Sequence, residues 1–134
     1  MRKPITNVYR IIASMTKDNS CYVKDKWIRE LQFQISEEVW LEICTQAHKV
    51  TNANLWKEFQ WRINNRFFRT PQVLPKMNPN QPSKCWRECG ETMATHSHIF
   101  WQCPLLDNFW KSVFAYINYV LNVELIRDPQ VAIL

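Results

Sequence analysis

The chain of 134 residues holds a single glycine, Gly90. Loops that cradle nucleotide phosphates need several glycines close together, so both a dinucleotide-binding fingerprint and a P-loop are excluded. No apolar run approaches the roughly 20 residues that span a bilayer, so no transmembrane helix is expected. Arg2 and Lys3 open the chain, but Pro4, Asn7, Tyr9 and Arg10 interrupt any signal-peptide stretch, so an intracellular, soluble protein is expected. Clustered aspartates suited to magnesium-dependent chemistry are also missing. The five cysteines are odd in number, which argues against a closed disulfide framework and for thiols or metal ligands.

What the chain has in quantity is tryptophan, seven residues, and basic charge, a net +5. Large aromatics at helical spacing are usually packing groups, and most of the tryptophans are expected to serve that way. The charge is unevenly placed. Between Asn54 and Cys89 stand Lys57, Arg62, Arg66, Arg69, Lys76, Lys84 and Arg87, against only Glu58 and Glu88. The rest of the chain is balanced. A localised excess of this kind is the footprint of a nucleic-acid contact, or else a solvated helix face.

Apolar spacing predicts a helical protein. Ile5, Val8, Tyr9 and Ile12 mark a first helix ending near Met15, with a polar break from Thr16 to Ser20. Val23, Trp27 and Leu31 mark a second. Ser36 followed by Glu37 and Glu38 reads as the capped start of a third, burying Val39, Trp40, Ile43, Cys44 and Ala47. A fourth is expected over Leu55–Arg69, which would align Arg62, Arg66 and Arg69 on one stripe. Such a stripe could clamp successive phosphates, with Trp61 or Phe68 exposed for base stacking. Four prolines between Pro71 and Pro82 predict a stiff connector, with room for one helical turn at Thr70-Pro71. Cys103-Pro104 should open the last long helix, turning Leu106, Phe109, Trp110, Val113, Ile117 and Leu121 inward. Asp128-Pro129 could start another, and the chain looks cut short after it. The expected division is a helical segment over 1–70, a connector over 71–84, and a Cys/His motif with the C-terminal helix over 85–134.

The most specific local pattern is Cys85-x3-Cys89-x8-His98-x4-Cys103. Three thiolates and an imidazole are a donor set for structural zinc, with all four positions filled by protein. His96 competes with His98 for the fourth position, and Gly90 suits a turn of positive φ around a metal. The alternative is three buried thiols and two surface histidines. Cys21 and Cys44 are expected to be small buried hydrophobes. A Cys-His nucleophile built on Cys44 and His48, or on Cys21, lacks an orienting third residue and an oxyanion loop.

The ordered runs Trp27-Ile-Arg-Glu-Leu31, Ile35-Ser-Glu-Glu-Val-Trp40, Arg66-Phe-Phe-Arg-Thr-Pro71, Lys84-Cys-Trp-Arg87, His98-Ile-Phe-Trp-Gln-Cys-Pro104 and Phe109-Trp110 carry a resemblance. From about Val8 onward the chain resembles the cysteine-rich region that follows the reverse transcriptase domain in LINE-type (non-LTR) retrotransposon polyproteins. The resemblance implies a largely helical fold with a zinc-knuckle-like motif on Cys85, Cys89, His98 and Cys103. It also implies sequence-tolerant binding of RNA or DNA within a retrotransposon ribonucleoprotein, in nucleus or cytoplasm. The x3 gap between the first two cysteines departs from the x2 of many relatives. The polymerase Tyr-x-Asp-Asp pair and the endonuclease are absent, so no enzymatic activity and no small-molecule substrate are expected. Arg62, Arg66, Arg69, Lys84 and Arg87 are the expected nucleic-acid contacts, and a zinc-stabilised protein-interaction module is the rival reading.

Overall fold

The computed structural model describes residues 4–15 and 20–134, with side chains over 5–15 and 22–134. It is mainly α-helical, with no strand among the described residues and no helix long and apolar enough to cross a membrane. Helix α1 spans Pro4–Met15, α2 Ser20–Leu31, α3 Glu37–Val50, α4 Asn54–Asn64, α5 Leu74–Met77, α6 Asp107–Leu121 and α7 Pro129–Ile133. The break expected at Thr16 to Ser20 lies for the most part outside the described residues.

Capping chemistry explains several boundaries. The Ser36 hydroxyl accepts from the Val39 N–H at 3.2 Å, and Glu37 and Glu38 occupy the first turn of α3, where the helix dipole favours acids. Asp128 caps α7 by accepting from the Gln130 N–H at 2.7 Å, with Pro129 in the first helical position. Thr70 opens a turn at Pro71, as expected, and α5 follows it.

Helix α4 ends five residues earlier than the expected Leu55–Arg69. Arg66 adopts the left-handed conformation (φ 56°), the Phe67 N–H reaches back to Arg62 O at 2.8 Å, and the Arg66 N–H reaches Ile63 O at 2.9 Å. This is a Schellman closure with an arginine where glycine is usual, at a local cost of about 1 kcal/mol.

The core gathers Trp27 of α2, Ile35, Trp40 and Ile43 of α3, Ile63 of α4 and Ile133 of α7. It therefore joins the expected helical segment to the far end of the chain. A buried asparagine stitches three of these helices. Asn64 donates from Nδ2 to Ile43 O (3.2 Å), while its own carbonyl accepts from Trp27 Nε1 (3.0 Å). Satisfying these groups inside the core makes the register of α2, α3 and α4 specific. On α3 the packed stripe is Trp40 and Ile43, and Cys44 is exposed rather than buried. One residue of helix rotates a side chain by about 100°, out of that stripe. The side chain of Cys21 lies outside the described residues.

The last long helix opens with a short 3-10 turn over Pro104–Leu106. Its buried residue is Phe114, flanked by half-buried Trp110, Val113 and Ile117. Phe109 and Leu121, expected to face inward, are exposed. Of the seven tryptophans, Trp27 and Trp40 are buried and Trp101 and Trp110 half-buried, whereas Trp56, Trp61 and Trp86 stand in solvent.

Candidate metal centre

Residues 83–103 are held by hydrogen bonds rather than by regular structure. The Cys85 N–H donates to Glu91 O (2.9 Å), the Ala94 N–H to Ser83 O (3.0 Å) and the Ser83 hydroxyl to Thr92 O (2.7 Å). Within that loop Cys85 and Cys89 face each other across a tight turn closed by Glu88 N–H to Cys85 O. Gly90 sits at φ 96°, the positive value anticipated for it; an added Cβ would meet nothing within 4 Å, so its requirement is conformational and not steric.

The second pair comes from a single π-helical turn over His98–Gln102. Its closing bond runs from the Cys103 N–H to His98 O at 3.0 Å. A π-turn brings residues five apart onto one side, which is what the x4 spacing between His98 and Cys103 needs.

The ligand atoms of Cys85, Cys89, His98 and Cys103 all lie within 4.8 Å of one another. Cys85 Sγ is 3.9 Å from Cys103 Sγ, and Cys89 Sγ is 3.3 Å from His98 Nε2. These separations suit the edges of a tetrahedron with metal–ligand bonds of about 2.0–2.3 Å. Cys85, His98 and Cys103 are buried and Cys89 half-buried, so the four can hold a metal ion with little access for a fifth group. Burial lowers the His98 pKa, which keeps the imidazole neutral and able to bind metal at neutral pH. At Cys85, burial opposes the thiolate. The Arg87 amide and the neighbouring Cys89 and Cys103 thiols outweigh it and bring the pKa below the ordinary thiol value.

His96 is not part of the cluster. It is buried beside Thr70, whose hydroxyl lies 3.5 Å from Nδ1, and its ring lies 6.4 Å from that of Phe100. Burial, with the Arg66 charge nearby, pushes its pKa down to about 4, so it is a neutral core histidine.

The five basic residues expected as nucleic-acid contacts are not all exposed. Arg62 is exposed and pairs with Glu58 at 2.5 Å along α4. Arg69, beyond the helix end, and Lys84 are exposed. Arg66 is turned inward, its side chain only 7% exposed, because the left-handed turn at that residue redirects it. Its guanidinium lies 4.7 Å over the Trp27 ring and pairs with Glu30 at 2.5 Å. Arg87 is half-buried and donates to Ile99 O at 3.1 Å. Phe68, expected to be free for stacking, packs edge-on against Phe59 and Phe100. Trp61 does remain exposed, tilted against Phe67 with ring centroids 5.5 Å apart.

One residue that spacing does not single out ties the metal loop to the helices. Glu30 of α2 accepts from Arg66 Nη2 and, at 2.6 Å, from the hydroxyl of Ser97, the neighbour of His98. Its backbone carbonyl accepts from Gln102 Nε2 at 2.8 Å. Although burial opposes the Glu30 carboxylate, Ser97 and Arg66 together hold its pKa below the ordinary value. Nothing in the sequence around Glu30 marks it, since its partners are 36 and 67 residues away.

No protein-family model matches the chain, and no solved structure matches it.

Proposed function

We propose that this chain is a non-catalytic, sequence-tolerant nucleic-acid-binding module whose fold is stapled by a structural zinc ion. The carrying observation is where the exposed cations and rings arise. Arg62, Arg69, Lys76 and Lys84, with Trp61, Phe67 and Trp86, are all exposed and all come from the window of 54–89 that holds the charge excess. Cations that neutralise phosphates and rings that stack on bases are the two ingredients of single-strand binding without sequence readout. Zinc suits the centre because three thiolates and one imidazole form a soft, closed donor set. When bound, the ion would supply cross-linking between Cys85, Cys89, His98 and Cys103, and no Lewis-acid chemistry, since the protein fills every position. The resemblance to the LINE-type region agrees with this reading and would place the module in a retrotransposon ribonucleoprotein, on RNA or DNA.

The test is metal analysis of the purified protein together with filter-binding titrations of RNA and DNA at two salt concentrations. About one zinc per chain is expected, with affinity that falls steeply with salt, by a slope near 0.7–0.9 for each phosphate neutralised. Absence of binding at low salt would sink the nucleic-acid reading. The second reading, a zinc-stabilised protein-interaction module, is favoured by one observation: Ile5, Val8 and Ile11 of α1 present apolar surface to solvent.

A further inference from the structure

Between α4, the metal loop, α6 and α7 lies a cleft of about 450 Å³. Its walls include the rings of Phe59, Phe100, Phe109 and Trp110 and the side chain of Ile133. That volume is in the range of small-molecule pockets. Among the described residues the single charged one of the lining is Arg87, and no carboxylate lines it. We propose that this cleft takes one unpaired base of a single-stranded nucleic acid, with Arg87 at its wall meeting the attached phosphate or a base carbonyl.

The inference rests on the nucleic-acid reading above and names the place where a base would be held. Three features carry it. Four aromatic rings stand in its walls, and a flat π-face is a better partner for a base than for a branched aliphatic side chain. The cleft's only charge is positive, and it belongs to the basic window, so it attracts a phosphate-bearing ligand. The guanidinium is also oriented in advance. Arg87 lies between ligands Cys85 and Cys89, and one of its five donors is committed to Ile99 O at 3.1 Å, which aims the fork. The Trp110 ring is fixed likewise, its Nε1 donating to Phe100 O at 2.9 Å. Phe109 is 55% exposed at the rim, so a base could reach its face without unfolding anything.

The experiment compares a fluorescein-labelled oligothymidine of about eight nucleotides with an equally long abasic backbone, by anisotropy on the metal-loaded full chain at one salt concentration. The wild-type protein should bind the thymidine strand about tenfold more tightly than the abasic one. Phe109→Ala should erase that preference while leaving affinity for the abasic strand unchanged, and Phe109→Tyr should keep it. If Phe109→Ala loses metal or helicity, Phe59→Ala, on the other wall, serves the same purpose. A preference undiminished in a folded alanine variant overturns the assignment of the cleft, while binding itself keeps the broader function. Lack of binding by the wild type to either strand overturns both. Base preference that survives Phe109→Ala, with binding of a Phe- and Leu-rich peptide lost, assigns the cleft to a protein partner and overturns the proposal.

Discussion

Helix α1 and the metal loop over 83–103 are opposites. The helix satisfies its own backbone along its length, yet its apolar side chains meet water, with Ile5 82% exposed. The loop has one π-turn and little other regular structure, yet Cys85, Ala94, His96, Ser97, His98, Ile99 and Cys103 are buried. A helix can form on local hydrogen bonds alone, but a loop buried this deeply must find partners elsewhere for each polar group. The loop finds most of them in Glu30, which accepts from the Ser97 hydroxyl, in Thr70 beside His96 Nδ1, and among its own Cys/His groups, while His96 Nε2 is left without a hydrogen-bond partner. Order in this molecule therefore follows cross-links more than regular secondary structure.

The sharpest way to break that comparison is to remove the proposed ion. Chelation, or Cys103→Ser, should cost at least about 4 kcal/mol, since structural zinc sites contribute folding energy outright. Thermal unfolding followed by circular dichroism should show the loss, and hydrogen exchange should place it in 83–103 while helical signal persists. An unchanged midpoint would mean that the loop owes its order to packing alone.

A smaller loss is expected from the latch. Glu30→Gln leaves the buried Arg66 without its countercharge and should destabilise by about 3 kcal/mol, the lower end for breaking a buried pair. Replacing both residues by methionine should recover much of the loss. The pH dependence has a definite sign. The Glu30 carboxyl is depressed in the fold, so its contribution is fully present above its unfolded pKa near 4.5 and is lost as pH falls through the lower folded value. The stability gap between wild type and Glu30→Gln should accordingly hold at pH 7 and shrink below about pH 4.5. A gap that grew with acid would assign the stabilisation to another group.

The convergence of Cys85, Cys89, His98 and Cys103 was legible in the sequence because their geometry is local. A turn closes on Cys85 and Cys89, a π-turn closes on His98 and Cys103, and both spacings are short. The caps at Ser36 and Asp128 were legible for the same reason. Arg66 was not. Its spacing from Arg62 fits a helical stripe, but the chain turns left-handed at Arg66 and its guanidinium meets the Trp27 ring and Glu30, 36 residues earlier, which no local spacing announces. Phe109, Phe114 and Cys44 show the complementary limit. Periodicity establishes that α3 and α6 are amphipathic, while the stripe that faces inward depends on which elements pack beside them. The exposure of the basic residues in the 54–89 window depends on both kinds of information, so only the composition of that window could be read in advance.

Arg62→Ala tests the exposed counterpart of Arg66. Its pair with Glu58 is on the surface of one helix, and such pairs contribute at most about 0.5 kcal/mol, so the unfolding midpoint should barely move. If Arg62 meets a phosphate, affinity should drop about equally for all sequences and the salt slope should fall by about one. A large stability loss with an unchanged slope would make Arg62 a structural residue like Arg66.

The smallest effect belongs to α1. Ile5→Gln removes an apolar side chain that is already mostly in water, so almost no transfer free energy is at stake and helix propensity changes little. The expected change in stability is within about 0.5 kcal/mol, the range of ordinary surface substitutions, read from a urea midpoint at low protein concentration. The same measurement at high concentration sharpens the comparison. Burial of this face against a second copy would make the wild-type midpoint rise with concentration by mass action, and Ile5→Gln would abolish the rise. A loss above 1 kcal/mol at every concentration would show that α1 is packed within the chain, and the contrast with the metal loop would fall.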